Sequence, residues 1–185
     1  MALNTTGPRL LALVLAALAW MFIRNSEAAQ VEEYLVKAAF MHKVAKFVEW
    51  PASSFASPST PIRVCVIGDD PFDTALESIE KKVAQQRYLE VQRIRRVESI
   101  DGCHILFVSA SERGVLAPIQ ARSRKASVLT ISDMDGFAQA GGMIQLLTDE
   151  GRIRFDINLE SVQQSGLRIS SNVLRLARQI HDSGR

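Results

Sequence analysis

Ile62-Arg63-Val64-Cys65-Val66-Ile67-Gly68-Asp69-Asp70-Pro71-Phe72 sets the architecture. Its first six residues read as a buried strand, and Gly68 ends it. Phe72 to Val83 follows with helical spacing and with Asp69 or Asp70 near its start. The alternation then repeats downstream. Tyr88 to Ile94 is a second strand and Ile105 to Ser109 a third, almost wholly apolar. Glu112 to Arg124 predicts the next helix, although Gly114 and Pro118 interrupt its pattern, and Ser127 to Ile131 is a fourth strand. Buried β-branched runs separated by helices imply parallel strands covered on both faces.

Further along, the pattern changes. Met143 to Thr148 and Arg152 to Ile157 flank Asp149-Glu150-Gly151. Ile153, Phe155 and Ile157 alternate with Arg152, Arg154 and Asp156, so one face is wet and the other dry. Gly151 can supply the positive φ of a tight turn, which predicts a hairpin and makes the sheet mixed. Asn158 is a good N-cap for a short helix to Gln164, closed by Gly166. A last helix is expected from Ser171 to His181, with Val173, Leu174, Leu176, Ala177 and Ile180 on one face. The expected fold is α/β: a three-layer sandwich with a mixed, mostly parallel central sheet and helices on both faces.

Upstream, Tyr34 to Pro51 (YLVKAAFMHKVAKFVEWP) reads as one long helix stopped by Trp50-Pro51. Tyr34, Ala38, Met41, Ala45 and Val48 form a stripe expected to face the core. Val36, Phe40 and Phe47 form a second stripe. A Ser- and Pro-rich linker, Ala52 to Pro61, joins this helix to the first strand. Before it lies Arg9, the apolar run Leu10 to Ile23, and small residues at Ala28 and Ala29. That is the layout of a secretory signal peptide, residues 1–28, with Ser26-Glu27-Ala28 as the expected cleavage site. The run has 14 residues, short of the roughly 20 that span a bilayer. Residues 29–185 then form one domain whose net charge is +1 once Arg9, Arg24 and Glu27 are gone. Such a balance argues against a nucleic-acid binder, and the processed protein is not expected to sit in the membrane.

Cys65 and Cys103 are the only cysteines, and in an oxidising compartment a disulfide between them is expected, with two buried free thiols as the other possibility. They cannot make a tetrahedral zinc site, and only His104 lies nearby. His42 and His181 read as surface or capping residues. Gly68-Asp69-Asp70-Pro71 occupies a nucleotide-binding position but lacks the glycine spacing and carries two carboxylates, so it reads as a turn and cap. Asp133, Asp135 and Gly136 begin like a calcium loop whose spacing then fails. No nucleophile–base set, catalytic carboxylate pair, metal site or cofactor motif stands out; the chain does not read as an enzyme.

Several motifs in combination resemble one family. They are Ala38-Ala39-Phe40 with Phe47-Val48-Glu49-Trp50-Pro51, Ile67-Gly68-Asp69-Asp70-Pro71-Phe72, Gly142-Met143-Ile144, Arg154-Phe155-Asp156-Ile157-Asn158 and Leu167 to Ala177. With these marks the chain resembles the YfiR family of bacterial periplasmic proteins (the DUF4154 domain). The resemblance implies no catalytic residues. It implies a periplasmic protein that inhibits a membrane-bound diguanylate cyclase by binding its periplasmic sensor domain, and so holds down cyclic-di-GMP output and biofilm formation. YfiR also carries a second disulfide near the late hairpin; this chain has no cysteine there, so only the Cys65–Cys103 bridge carries over. Another membrane sensor as partner, a homodimer, and a small-ligand sensor with its site near Gly68 and Ser109 remain open alternatives. Candidate partner contacts are Phe47, Glu49 and Trp50 at the end of the first helix, and the basic patch Arg93, Arg95 and Arg96.

Overall fold

The computed structural model describes residues 30–149 and 151–182. The expected signal peptide lies outside them. The described chain runs through α1 (residues 30–45), β1 (Val48–Glu49), β2 (Ile62–Ile67), β3 (Val83–Ala84), β4 (Arg87–Ile94), β5 (Ile105–Val108), α2 (Leu116–Lys125), β6 (Leu129–Ser132), β7 (Ile144–Asp149), β8 (Arg152–Asn158), α3 (Leu159–Gln164), β9 (Arg168–Ile169), α4 (Ser171–Leu174) and β10 (Gln179–His181). Eight strands form a mixed sheet in the order β10-β8-β7-β6-β5-β2-β4-β3. Among the described residues of this sheet only the hairpins β7–β8 and β3–β4 are antiparallel. The fold is α/β, as expected.

Strand alternation splits the core in two. Ile62, Val64, Val66, Ile105, Phe107, Leu129 and Ile131 pack with Ala38, Met41, Val44 and Ala45 of α1. Cys65, Ile67, Leu106 and Val108 pack with Ile119 of α2. The α1 stripe therefore faces inward as expected: Ala38, Met41, Ala45 and Val48 are buried and Tyr34 is partly so. Val36 and Phe47 of the second stripe are exposed. Cys65 and Cys103 form the disulfide, with Cα atoms 5.9 Å apart, because β2 and β5 are neighbours.

Four helices depart from expectation. The one expected over Glu112 to Arg124 begins as a 3-10 turn, Ala110–Val115, and is α-helical from Leu116 to Lys125. α1 stops at residue 45, before Trp50-Pro51. The Gln85 side-chain amide donates to the carbonyls of Ala45 (2.7 Å) and Val48 (2.6 Å), and Val48 pairs with Ile169 in a two-stranded ladder. The helix expected over Phe72 to Val83 is a short 3-10 turn, Asp73–Ser78, followed by the β3–β4 hairpin. Ala75, Leu76 and Ile79 are still buried, so the apolar pattern was right and the period was not. The last helix is a single turn, Ser171–Leu174; Leu176 and Ile180 are exposed and 179–181 joins the sheet beside β8. The cause is Asp156, fully buried on β8. Arg178 answers it with two side-chain hydrogen bonds (2.9 and 2.5 Å), while its own N–H donates to Phe155. A buried carboxylate without a partner is costly, and meeting this one draws the chain out along the sheet edge.

Candidate partner-binding site

Where α1 ends, the chain turns outward. Lys46 and Phe47 close the last turn through hydrogen bonds to Lys43 and Val44, and Phe47 is then pinned by the Ser170 N–H donating to its carbonyl (2.9 Å). The Phe47 ring nevertheless stays 41% exposed. Glu49 sits opposite Arg168, both strongly exposed with 3.8 Å between charged atoms, a pairing worth at most about 1 kcal/mol. Trp50 is different. Its indole N–H donates to the His104 carbonyl (3.2 Å), and its ring meets Phe55 and His104 edge-on. It belongs to the scaffold, and Phe47 and Glu49 are left on the surface.

The basic patch lies elsewhere. Arg93 donates to the Asp70 carboxylate (2.5 Å) and to the Asp73 carbonyl (2.7 Å), whereas Arg95 and Arg96 are exposed. Trp50 is level with the start of β5, which lies beside β2; Arg93 is near the far end of β4. By the strand registers His104 is level with Arg63 and Arg93 with Val66, three steps or about 10 Å apart, and Arg95 and Arg96 lie further along. The two candidate contact regions therefore lie toward different ends of the sheet.

At Gly68 the loop after β2 packs closely against the Ser111 and Glu112 side chains. A side-chain carbon there would lie 2.4 Å from the Ser111 hydroxyl and 2.8 Å from the Glu112 side chain. Ser109 is buried with its hydroxyl unpartnered. Asp133 is taken up by protein. It accepts hydrogen bonds from the Lys37 ammonium (2.6 Å) and the Tyr34 hydroxyl (2.9 Å), and Lys37 also bridges to Glu33 (2.6 Å). Burial pulls the Lys37 ammonium down, but the bonds from Asp133 and Glu33 outweigh it and hold its pKa above the usual lysine value. Burial and the Asp133 carboxylate push the Tyr34 phenol up to about 12. This cluster fastens α1 to the end of β6. Of it, only the Glu33–Lys37 helical spacing was visible in sequence. Among the described residues no group of three His, Cys, Asp or Glu is placed to hold a metal ion.

The family model described as YfiR/HmsC-like (DUF4154) matches residues 34–178, from the start of the Lys37 cluster to the Arg178 clamp. The chain belongs to the YfiR/HmsC-like family. That family is periplasmic and regulatory rather than catalytic, and acts with membrane-bound partners. No helix among the described residues of this YfiR/HmsC-like chain is long and apolar enough to cross a membrane. Two solved structures are similar in part. One is an ABC domain from Streptococcus pneumonia in complex with L-Trp, at 10% identity and a TM-score of 0.45. The other is a conserved domain protein from Vibrio cholerae, at 12% identity and a TM-score of 0.47. Each match covers 64% of this chain and 54% of the other, so the chain spans about half the length of the proteins it matches.

Proposed function

We propose that the exported domain is a periplasmic regulatory binding protein that inhibits a membrane-bound diguanylate cyclase by engaging its periplasmic sensor domain. Family membership supports the regulatory role, and one observation carries the choice of surface. Phe47 remains solvent-exposed on a backbone fixed at both ends, by the α1 turn and by the β1–β9 ladder. A rigid, exposed aromatic next to an exposed Glu49–Arg168 pair suits a protein interface, because it loses little freedom on docking. Inhibition needs no chemistry, only a higher affinity for one state of the target.

Binding of the purified domain to the periplasmic segment of a membrane-bound diguanylate cyclase from the same organism, measured by calorimetry, tests the proposal. Phe47→Ser should weaken binding at least tenfold and Glu49→Arg severalfold. Arg95→Glu, toward the other end of the sheet, should leave it unchanged. Wild-type affinity in both the Phe47 and Glu49 variants, with the fold intact, would overturn this surface. The alternative of a small-ligand sensor at Gly68 finds less support, because Ser111 and Glu112 pack closely against that loop.

A further inference from the structure

Residues 51–61 cross the end of the sheet where β2, β4 and β5 begin, with one short 3-10 turn, Ala52–Ser54, as their only regular structure. Side chains from outside the segment hold it there. Arg87 Nη1 donates to the carbonyls of Ser57 (2.9 Å), Pro58 (2.8 Å) and Thr60 (2.7 Å). The same guanidinium lies 3.9 Å from the centre of the Phe55 ring, and Phe55 stacks on His104 at 4.5 Å with the rings nearly parallel. His104 completes the attachment. Its Nδ1 receives the Arg63 backbone N–H (3.0 Å), and its Nε2 faces the Ser54 carbonyl (3.0 Å).

An imidazole that accepts at Nδ1 and donates at Nε2 has to be the neutral Nε2–H tautomer. A second proton on Nδ1 would face the Arg63 N–H, donor against donor, on a ring that has become a cation. Relieving that clash means swinging the ring away, which gives up its Nε2–H bond to Ser54 and its stack on Phe55. The charged groups around it offer no compensation. Arg63 and Arg87 are both cationic, and Arg63 is already paired with Glu90. On the open side a cleft of about 410 Å³ is lined by His104, Ser54, Arg63, Asp101, Arg122 and Lys125, and Asp101 is bound to Arg122. Solvent reaches the clasp through that cleft.

We propose that His104 is an acid-sensitive clasp: its protonation frees the strap of residues 51–61 from the sheet edge while the sheet itself stays folded. Burial of the ring, with added repulsion from Arg63 and Arg87, keeps the His104 pKa below the usual histidine value, against the opposing bond from Ser54. The sign follows. The closed strap holds His104 neutral and the open strap lets it titrate normally. Closure is therefore most stable above about pH 6.5 and weakens as pH falls toward the lowered value of the closed state. The open population rises about tenfold per pH unit over that window. The inference concerns the isolated protein and stands whether or not Phe47 meets a partner.

Amide hydrogen exchange of the full chain at pH 7.5, 5.5 and 4.5, corrected for intrinsic rates, reads the strap directly. The Ser54, Phe55 and Arg63 amides should lose at least tenfold of their protection by pH 4.5, while those of Leu106 and Ile131 keep theirs. Nitrogen NMR should show the Nε2–H tautomer at pH 7.5 and protonation in step with that loss. His104→Gln should abolish the pH step, and His42→Gln should preserve it. Should His104→Gln fail to fold, the wild-type comparison decides. Protonation of His104 with no loss of strap protection would overturn the clasp. So would a loss shared equally by Leu106 and Ile131, or one that persists in His104→Gln.

Discussion

Lys37 shows what a single residue can contribute in this chain. It is 3% exposed, its ammonium lies between Glu33 and Asp133, and it sits 4.2 Å from the centre of the Tyr34 ring. Lys37→Met removes the cation and leaves two partly buried carboxylates facing each other. We expect a loss of about 3 kcal/mol in urea unfolding, because breaking such a cluster costs more than the pair itself contributes. Asp133→Asn, which keeps an acceptor for Tyr34 and Lys37, should cost less. Gly142 makes the opposite point. A Cβ there would fall 2.2 Å from the buried Phe137 ring, so Gly142→Ala should cost about 1–3 kcal/mol by overpacking, seen as a lowered unfolding midpoint. Neither effect was legible in the sequence. The i, i+4 spacing of Glu33 and Lys37 can be read along a helix, but Asp133 lies 96 residues from Lys37, and nothing local announces the meeting.

At the scale of elements, the hairpin between β3 and β4 carries the clearest signature. Its two loop residues, Gln85 and Gln86, both have positive φ (51° and 62°), a conformation that glycine and asparagine adopt more readily. Gln85 is compensated by its two hydrogen bonds to the end of α1; no such bond supports Gln86. Gln86→Gly should therefore stabilise the protein by about 0.5–1 kcal/mol, and Gln85→Gly should destabilise it despite relieving the same strain. Thermal unfolding of the two variants side by side checks the sign. The hairpin was hidden in sequence because Gln-Gln is not a turn dipeptide and the preceding Ala75, Leu76 and Ile79 carry helical spacing. Where the local chemistry is unambiguous, the sequence was enough. Asn158 caps α3 by accepting the Ser161 N–H (2.8 Å), and Gly166 follows with a φ of 70°. The buried strands β2, β5 and β6 stand where their apolar runs put them. The C-terminal segment misled for a different reason: its helical periodicity was outweighed by one long-range obligation, Asp156.

Over the whole molecule, the disulfide is the main covalent constraint. It closes 38 residues between neighbouring strands, which in the chain-entropy model stabilises by about 4 kcal/mol. A Cys65→Ala/Cys103→Ala double variant should lose up to that amount in denaturant titration while keeping the same sheet by circular dichroism. The α/β class and the Cys65–Cys103 pair were both readable from sequence, since buried runs and cysteine counts are composition-level signals. The candidate surface was readable only in part. Phe47, Glu49, Trp50, Arg93, Arg95 and Arg96 were grouped by residue type, and residue type does not tell which end of a strand a side chain occupies. Parallel topology puts the Trp50 and Arg93 groups toward different ends, and the hydrogen bond from Trp50 to His104 turns an apparent anchor into scaffold.

The cluster that fastens α1 also bears on how the chain folds. Tyr34 meets Asp133 across 99 residues of sequence, and Glu33 meets Thr148 across 115. The apolar stripe of α1 can therefore pack on β2 and β5 as they form, but its polar fastening is not complete until β6 to β8 have followed. Contacts of such sequence separation slow folding, because loop closure has to be met before burial repays it. Until then α1 is held by apolar burial alone, which is non-directional, and the Lys37 cluster is what finally fixes its position along the sheet.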